Sequence, residues 1–170
     1  MSPIDKHKRI LIDTKFLVEA VSDKNSTQDR ERIDYFLLIL EKNKSKIIIP
    51  TPAIAEFLAV ADTARHEFIR QLQRKSYIEI APFDMAAAVE CGLIDATVIN
   101  AGDKRGGVNK PWQHIKVDRQ IIAIGRVHNA SLVISGDNGV CNNASRVNMD
   151  SMTIDDLPLP PTDPQGKLPV

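Results

Sequence analysis

The sequence predicts an α/β fold: a single-domain, three-layer α/β/α sandwich around a central parallel sheet. Short apolar runs alternate along the chain with longer segments of helical periodicity. The first two runs, 9–13 and 46–50, lack any polar alternation, which indicates strands covered on both faces. Strands separated by helices form βαβ units, and their crossovers place helices on both faces of the sheet.

Five runs are predicted to build this sheet. The run at 9–13 is predicted as a central strand, and 46–50 repeats its buried pattern. The runs at 77–81 and 131–135 follow as the third and fourth strands, and 152–154 as a fifth.

Amphipathic segments are predicted as helices between these strands. Ser26 or Thr27 caps the first helix, and Thr51 begins another directly after a strand. Asp84 caps a long Ala-rich helix that ends near 101–102. The positions of this long helix predicted to face the core are Met85, Ala88, Val89, Leu93 and Ala96. An exposed loop is predicted over 103–114, and a further helix from about 117 to 129.

Length and composition favour one cytoplasmic domain. The chain has 170 residues, a formal net charge of +0 and 2 cysteines, which suits neither a secreted disulfide scaffold nor a zinc site. We expect no secretory signal and no membrane association, because the longest apolar run, 35–40, is far shorter than a bilayer span. The predicted domain covers 1–157, and 158–170, with half of the 10 prolines, is predicted as an extended tail.

Four acidic residues stand where folding alone does not require them. Asp13 ends the first strand and Asp137 follows the fourth, so both lie at the carboxyl edge of the sheet, where ligands bind in open α/β folds. Glu56 lies in the first turns of the helix that leaves the second strand, off its apolar stripe. The sequence therefore predicts that these acids share one crevice.

Asp118 is the most informative of the four acids. It precedes Ile121 and Ile122 by three and four residues, so it lies on the apolar face of its helix. A buried carboxylate needs a cation, a metal or a shifted pKa. The alternative is that Asp118 stabilises the N-terminus of its helix through the dipole. Glu56 also has a simpler interpretation, as an ordinary surface glutamate.

Clustered carboxylates indicate a divalent cation as their neutraliser. Oxygen-only ligands select hard ions, here Mg²⁺ or Mn²⁺, and an incomplete protein shell leaves positions for water and a phosphate oxygen. Such ions activate water for attack at phosphorus and stabilise the leaving oxygen. The pattern therefore favours phosphoryl chemistry.

Segments 10–14, 51–58, 117–123 and 132–137, each with one of the four acids, resemble the motifs of PIN-domain ribonucleases, most of all the VapC-like branch. The resemblance covers about residues 9–155. It implies a PIN-like sandwich whose acids hold Mg²⁺ or Mn²⁺ and which cuts RNA. It assigns Asp13, Glu56, Asp118 and Asp137 as catalytic metal ligands, and Thr14 and Ser135 as supporting hydroxyls. It also implies a homodimer and inhibition by an antitoxin protein.

The sequence departs from this family at two points. Lys15 replaces a small polar residue, and it can bind a phosphate, compete with the metal or simply be solvated. Asn138, Gly139 and Val140 follow the last acid in place of the usual basic or aromatic residues. The front segment, the loop at 103–114 and the tail also lengthen the chain beyond a compact toxin.

Basic residues near the acids predict a surface for RNA. Phosphate contacts position a nucleic acid, and an aromatic ring can stack on a base. The residues predicted to bind substrate are Lys15, Lys104, Arg105, Lys110, Trp112, Lys116 and Arg119. The alternative is a solvated loop with Trp112 packed onto the core.

The function predicted from these features is an Mg²⁺- or Mn²⁺-dependent endoribonuclease, as the toxin of a toxin–antitoxin pair. The alternative is a non-catalytic RNA-binding or scaffold domain of the same fold, in which Lys15 has displaced the metal. A metal-free mechanism with two histidines is the chemical rival, but nothing in the spacing places two of His7, His66, His114 and His128 together.

Overall fold

A computed structural model describes residues 4–22, 24, 26–59 and 63–161. Five parallel strands form one sheet in the order β3-β2-β1-β4-β5, as the sequence predicts for the class. The strands are β1 (Arg9–Ile12), β2 (Lys46–Pro50), β3 (Ile78–Ala81), β4 (Leu132–Ile134) and β5 (Asp150–Met152). The sheet order reverses beside β1, between β2 and β4, and this is where open α/β sheets bind their ligands.

Seven α-helices flank the sheet within the described residues. They are α1 (Thr14–Ala20), α2 (Thr27–Lys42), α3 (Thr51–Leu58), α4 (Thr63–Gln73), α5 (Met85–Asn100), α6 (Trp112–Val127) and α7 (Asn138–Arg146). A 3₁₀ turn follows β5 at Ile154–Asp156. Helices α5, α6 and α7 pack side by side in that order. The predicted α/β sandwich is confirmed.

The central strands β1 and β2 are buried after their first residues, Arg9 and Lys46, which are partly exposed. In β1, Ile10 pairs with Ile47 on one side and with Leu132 on the other, and all three side chains are buried. Helix α6 approaches β1 closely at Gly125, where a Cβ atom would lie 2.6 Å from Leu11 Cδ2. This contact fixes α6 against the sheet and thereby places Asp118 above the carboxyl ends of the strands.

Two predictions about helices were wrong: the start of α6 and the face of α5 that is buried. Helix α6 begins at Trp112, five residues before the predicted start, with Pro111 as its N-cap residue. Helix α5 turns the opposite face inward: Met85, Val89 and Leu93 are 80%, 57% and 58% exposed. The residues that α5 buries are Ala87, Cys91, Ile94 and Val98.

Two short helices, α1 and α7, were not predicted at all. Each begins within four residues of the end of a strand and uses a crevice acid as its N-cap. Asp13 accepts from the Phe16 amide, and Asp137 accepts from the amides of Gly139 and Val140. The structure gives 157–161 no helix or strand, and the rest of the predicted tail, 162–170, lies outside the described residues. In the part of the chain that the structure describes, no helix is long and apolar enough to cross a membrane.

Candidate functional site

The four predicted acids lie together in one crevice of about 320 Å³ at the carboxyl edge of the sheet. Asp13, which follows β1, lines it together with residues of α1, α3, α6 and α7 and with Asp137, the N-cap residue of α7. The lining residues are Asp13, Thr14, Lys15, Glu56, Lys110, His114, Asp118, Ile121, Asp137 and Val140. Topology alone therefore gathers acids from four separate segments of the chain.

Asp13 is the most enclosed acid, with 2% of its surface exposed. Its Oδ1 accepts from the Phe16 amide at 2.8 Å, and its Oδ2 accepts a short hydrogen bond from the Ser135 hydroxyl. Burial raises the pKa of Asp13 above its ordinary value, and the two hydrogen bonds only partly offset this effect. Ser135 Oγ also accepts from the Asp137 amide at 3.0 Å, so this hydroxyl connects the ends of β1 and β4.

Glu56 is held by the second predicted hydroxyl. The Thr14 hydroxyl donates to Glu56 Oε2 at 2.7 Å, which joins the start of α1 to α3. Glu56 is half-buried and lines the crevice. It is therefore part of the acidic site, and its interpretation as an ordinary surface glutamate does not describe its position.

Asp137 combines a capping role with a strong ion pair. Its Oδ1 accepts from the Gly139 amide at 2.7 Å and from the Val140 amide at 3.3 Å. Both carboxylate oxygens also accept short hydrogen bonds from Lys110 Nζ. Burial by itself raises the pKa of Asp137, but the hydrogen bonds from Lys110 and the two amides outweigh it, and the pKa lies below its usual range.

Asp118 lies in the second turn of α6 and is buried. Since α6 begins six residues earlier, at Trp112, Asp118 does not cap it, and the capping alternative is removed. Its Oδ2 is a buried oxygen without a hydrogen-bond partner, 3.5 Å from Lys110 Nζ. Burial, together with the negative charge of Asp137, raises the pKa of Asp118 to about 6.

Lys110 is the residue whose position sequence reasoning missed. The pattern assigned it to a loop surface for RNA, whereas its ammonium lies between Asp118 and Asp137 inside the crevice. Burial lowers the pKa of Lys110, but the two carboxylates outweigh this effect and keep it above its usual value. The overlooked signal was Pro111, which marks the start of α6 and places Lys110 beside the same edge as Asp118.

Lys15 lines the same crevice in a different way. Its Nζ lies 4.0 Å from Glu19 Oε1, one turn along α1, and half of its side chain is exposed. The stem passes over Gly136, where a Cβ atom would lie 2.8 Å from Lys15 Nζ. Lys15 is thus available at the crevice mouth.

The remaining basic residues divide into an exposed and a structural group. Lys104, Arg105 and Lys116 are exposed and are not among the residues that line the crevice. Arg119 is 1% exposed and binds Asp95 Oδ1 at 2.7 Å and the Lys104 carbonyl, so the prediction that it contacts RNA was wrong.

Trp112 is also held by its neighbours. Its ring lies 5.0 Å from Lys104 Nζ and 5.5 Å from the Arg119 guanidinium carbon. Two cations at this distance bind the ring face of a tryptophan. The arrangement favours the alternative in which Trp112 packs onto the protein.

The donor set fits a hard divalent ion, although the acids are not gathered as a finished site. Across the described residues, no three His, Cys, Asp or Glu side chains converge as metal ligands. Asp118 nevertheless presents an unpartnered buried oxygen to the crevice, and the four acids supply oxygen donors alone. Of the four histidines only His114 lines this crevice, so no pair of histidines is present for a metal-free mechanism.

Comparison with known proteins gives a consistent picture. A sequence model described as the PIN domain matches residues 10–145. The solved structure of VapBC2 from Rickettsia felis bound to a promoter DNA fragment is similar, with a TM-score of 0.61, 15% identity, 85% of this chain covered and 98% of that chain. The structure of DNA-bound VapBC from Salmonella typhimurium is also similar, with a TM-score of 0.58 and 15% identity, and the match covers 86% of this chain and 98% of that chain. No curated protein matches by sequence.

Proposed function

Because the chain belongs to the PIN domain family, we propose that it is an Mg²⁺- or Mn²⁺-dependent endoribonuclease. The observation that carries the proposal is the crevice at the switch point of the sheet, which Asp13, Glu56, Asp118 and Asp137 all line. Four acids in one crevice repel one another, and divalent cations relieve this repulsion while leaving room for a phosphodiester.

Each acid has a defined part in this proposal. Asp13, Glu56, Asp118 and Asp137 hold the metal, and Asp118 contributes a buried oxygen that no hydrogen bond occupies. When bound, a divalent ion supplies Lewis-acid activation of water and of the leaving oxygen. Thr14 and Ser135 orient Glu56 and Asp13 through the hydrogen bonds that they donate.

Basic side chains around the crevice bind the RNA backbone. Lys15 lines the mouth and presents positive charge to a phosphate there, and the exposed Lys104, Arg105 and Lys116, outside the crevice lining, are proposed to contact phosphates further along the strand. These contacts are independent of base identity, and they weaken as salt concentration rises. His114, exposed on the first turn of α6 and lining the crevice, is placed to contact a phosphate oxygen.

We also infer a toxin–antitoxin role. Two structures with the same fold are VapBC complexes bound to DNA. The acids of this crevice already accept one ammonium group, from Lys110, so a basic side chain of an antitoxin protein would find complementary charge there. Co-expression with the product of the neighbouring reading frame tests this role: the partner should co-purify and block cleavage.

Helix α5 supports a homodimer. Its outward face presents Met85, Val89 and Leu93, spaced four residues apart on one stripe, and all three are more than half exposed. Helices that are apolar on both sides are usually covered on both sides. A second copy of the chain is the occupant that this self-complementary stripe suits, because a two-fold contact pairs the same patch on both subunits.

Cleavage of RNA under controlled metal conditions tests the proposed activity. Purified protein with Mn²⁺ should cut RNA, EDTA should stop the reaction, and Asp13→Asn should lower the rate by at least about a hundredfold. The control is Asp34→Asn, which neutralises an exposed acid on α2 outside the crevice and should leave the rate unchanged. Intact RNA, together with no heat on titration with Mn²⁺, would instead support the non-catalytic RNA-binding or scaffold domain.

A further inference from the structure

We propose that Lys110 is a built-in counter-ion: its ammonium occupies the acidic crevice of the metal-free protein and leaves it when a divalent cation binds. The inference rests on the metal site of the proposed function and adds a competing group within the same chain. It explains why four acids line one crevice while no three converge as metal ligands among the described residues.

The contacts of Lys110 are those of a cation shared between two acids. Its Nζ binds both carboxylate oxygens of Asp137 and lies 3.5 Å from Asp118 Oδ2. Asp118 Oδ2 has no hydrogen-bond partner, and among the described residues it is the ammonium of Lys110 that forms an ion pair with it. A group in this position competes with any metal that uses the same two carboxylates.

The first turn of α7 packs tightly against Asp118 and Asp137 at Gly139. A Cβ atom on Gly139 would lie 2.4 Å from Asp118 Oδ2, 3.1 Å from Asp137 Oδ1 and 3.3 Å from Lys110 Nζ. Glycine at this position lets the first turn of α7 close against the two carboxylates. Because a metal ion would use the same oxygens of Asp118 and Asp137 that the Lys110 ammonium contacts, binding of one opposes binding of the other.

The loop before α6 is built to hold this lysine while leaving its side chain free to turn. Arg119 binds the Lys104 carbonyl, Arg146 binds the Gly106 carbonyl at 3.0 Å, and Arg105 binds the carbonyl of Lys110 itself. These bonds fix the backbone. A lysine stem has four rotatable carbons, so the ammonium can swing out without any change in the loop.

Lys15 does not take this role, although the sequence singled it out as the competitor for metal. Its described ion pair is with Glu19, at 4.0 Å, and its side chain is half exposed. It therefore provides a matched control, since Lys15→Met removes the same charge from the same crevice without vacating the space between Asp118 and Asp137.

Calorimetric titration with MnCl₂ tests the inference on the full chain. Lys110→Met should bind Mn²⁺ at least about tenfold more tightly than the wild type, in the range of ordinary couplings between two ligands. Lys15→Met should change the affinity by less than about threefold, because its charge is exposed and screened. Equal affinities of wild type and Lys110→Met would overturn the counter-ion role and leave the metal site intact. No binding by any variant, Lys110→Met included, would instead overturn the metal site and the inference with it.

A second measurement needs no variant. Acetylation of the wild type with an N-hydroxysuccinimide ester, read by mass spectrometry, reports how accessible each ammonium is. The rate at which Lys110 is modified should be low without metal. It should increase at least about fivefold with saturating Mn²⁺, because the metal displaces the ammonium from the two carboxylates. Lys75, exposed and outside the crevice, is the internal reference and should not change. A rate for Lys110 that does not respond to Mn²⁺ in a protein that binds it would refute the displacement.

Discussion

Replacement of Asp118 by asparagine should stabilise the metal-free protein. The carboxylate is buried on α6, its Oδ2 has no hydrogen-bond partner, and its pKa is raised from 3.8 to about 6, first by burial and then by the charge of Asp137. Asparagine keeps the shape and removes the charge. The free energy of unfolding of Asp118→Asn should therefore exceed that of the wild type by the cost of keeping Asp118 ionised in the folded state.

The magnitude and the sign follow from linkage. A rise in pKa from 3.8 to about 6 corresponds to about 3 kcal/mol. Because the folded state binds this proton more tightly than the unfolded state, the wild type loses stability as pH rises through this window. We expect the advantage of Asp118→Asn to be near zero at pH 3, about half developed at pH 5 and nearly complete, at about 3 kcal/mol, at pH 7.

Urea unfolding in EDTA at a series of pH values measures this difference. At neutral pH the gain corresponds to a rise in melting temperature of about 6–12 °C for a domain of this size. Asp34→Asn is the control for removal of an exposed charge, and its difference from wild type should not follow the same curve. An Asp118→Asn protein that is less stable at every pH, or a difference that is constant from pH 4 to 8, would refute the burial argument.

Three further predictions concern the metal, the crevice wall and the apolar stripe. Mn²⁺ should raise the melting temperature of the wild type, and Asp118→Asn should abolish that rise, since a ligand that binds only the folded state stabilises it; an equal rise in both would exclude Asp118 as a ligand. Gly139→Ala should lower the free energy of unfolding, measured in urea, by about 1–3 kcal/mol, because the added methyl group overpacks against Asp118. Gly92→Ala is the control and should not destabilise the protein, since its methyl group would meet nothing within 4 Å. The wild type should be a dimer by light scattering at tens of micromolar and Val89→Lys a monomer; a monomeric wild type would remove the dimer.

The acids could be placed from sequence because each follows a strong local signal. Asp13 comes directly after β1 and Asp137 follows β4 after Ser135 and Gly136, and parallel strands bring their carboxyl ends to one edge. Asp118 could be placed because Ile121 and Ile122 define the inward face of its helix. These inferences need only the local hydrophobic period and the general rule that parallel strands bring their carboxyl ends to one edge.

The loop and the face of α5 could not be predicted because long-range packing decides them. The path of 103–111 depends on Arg119 and Arg146, which bind its carbonyls from two different helices, and neither contact leaves a trace in the local sequence. Helix α5 is apolar on both sides, so its sequence pattern alone allows either face to be the buried one. The structure selects the side with Ala87 and Cys91, small residues that suit close packing against α6.

The chemistry of the cut ends tests the central claim most directly. If Asp13, Glu56, Asp118 and Asp137 hold a divalent ion, water attacks phosphorus in line and expels the 3′ oxygen, with no role for the substrate 2′-hydroxyl. RNA cut in the presence of Mg²⁺ or Mn²⁺ should then carry 5′-phosphate and 3′-hydroxyl ends, and a 2′-deoxy residue at the cut site should still be cleaved. Cyclic 2′,3′-phosphates that persist in EDTA would contradict the assignment of the four acids and direct attention to His114, the histidine that lines the crevice.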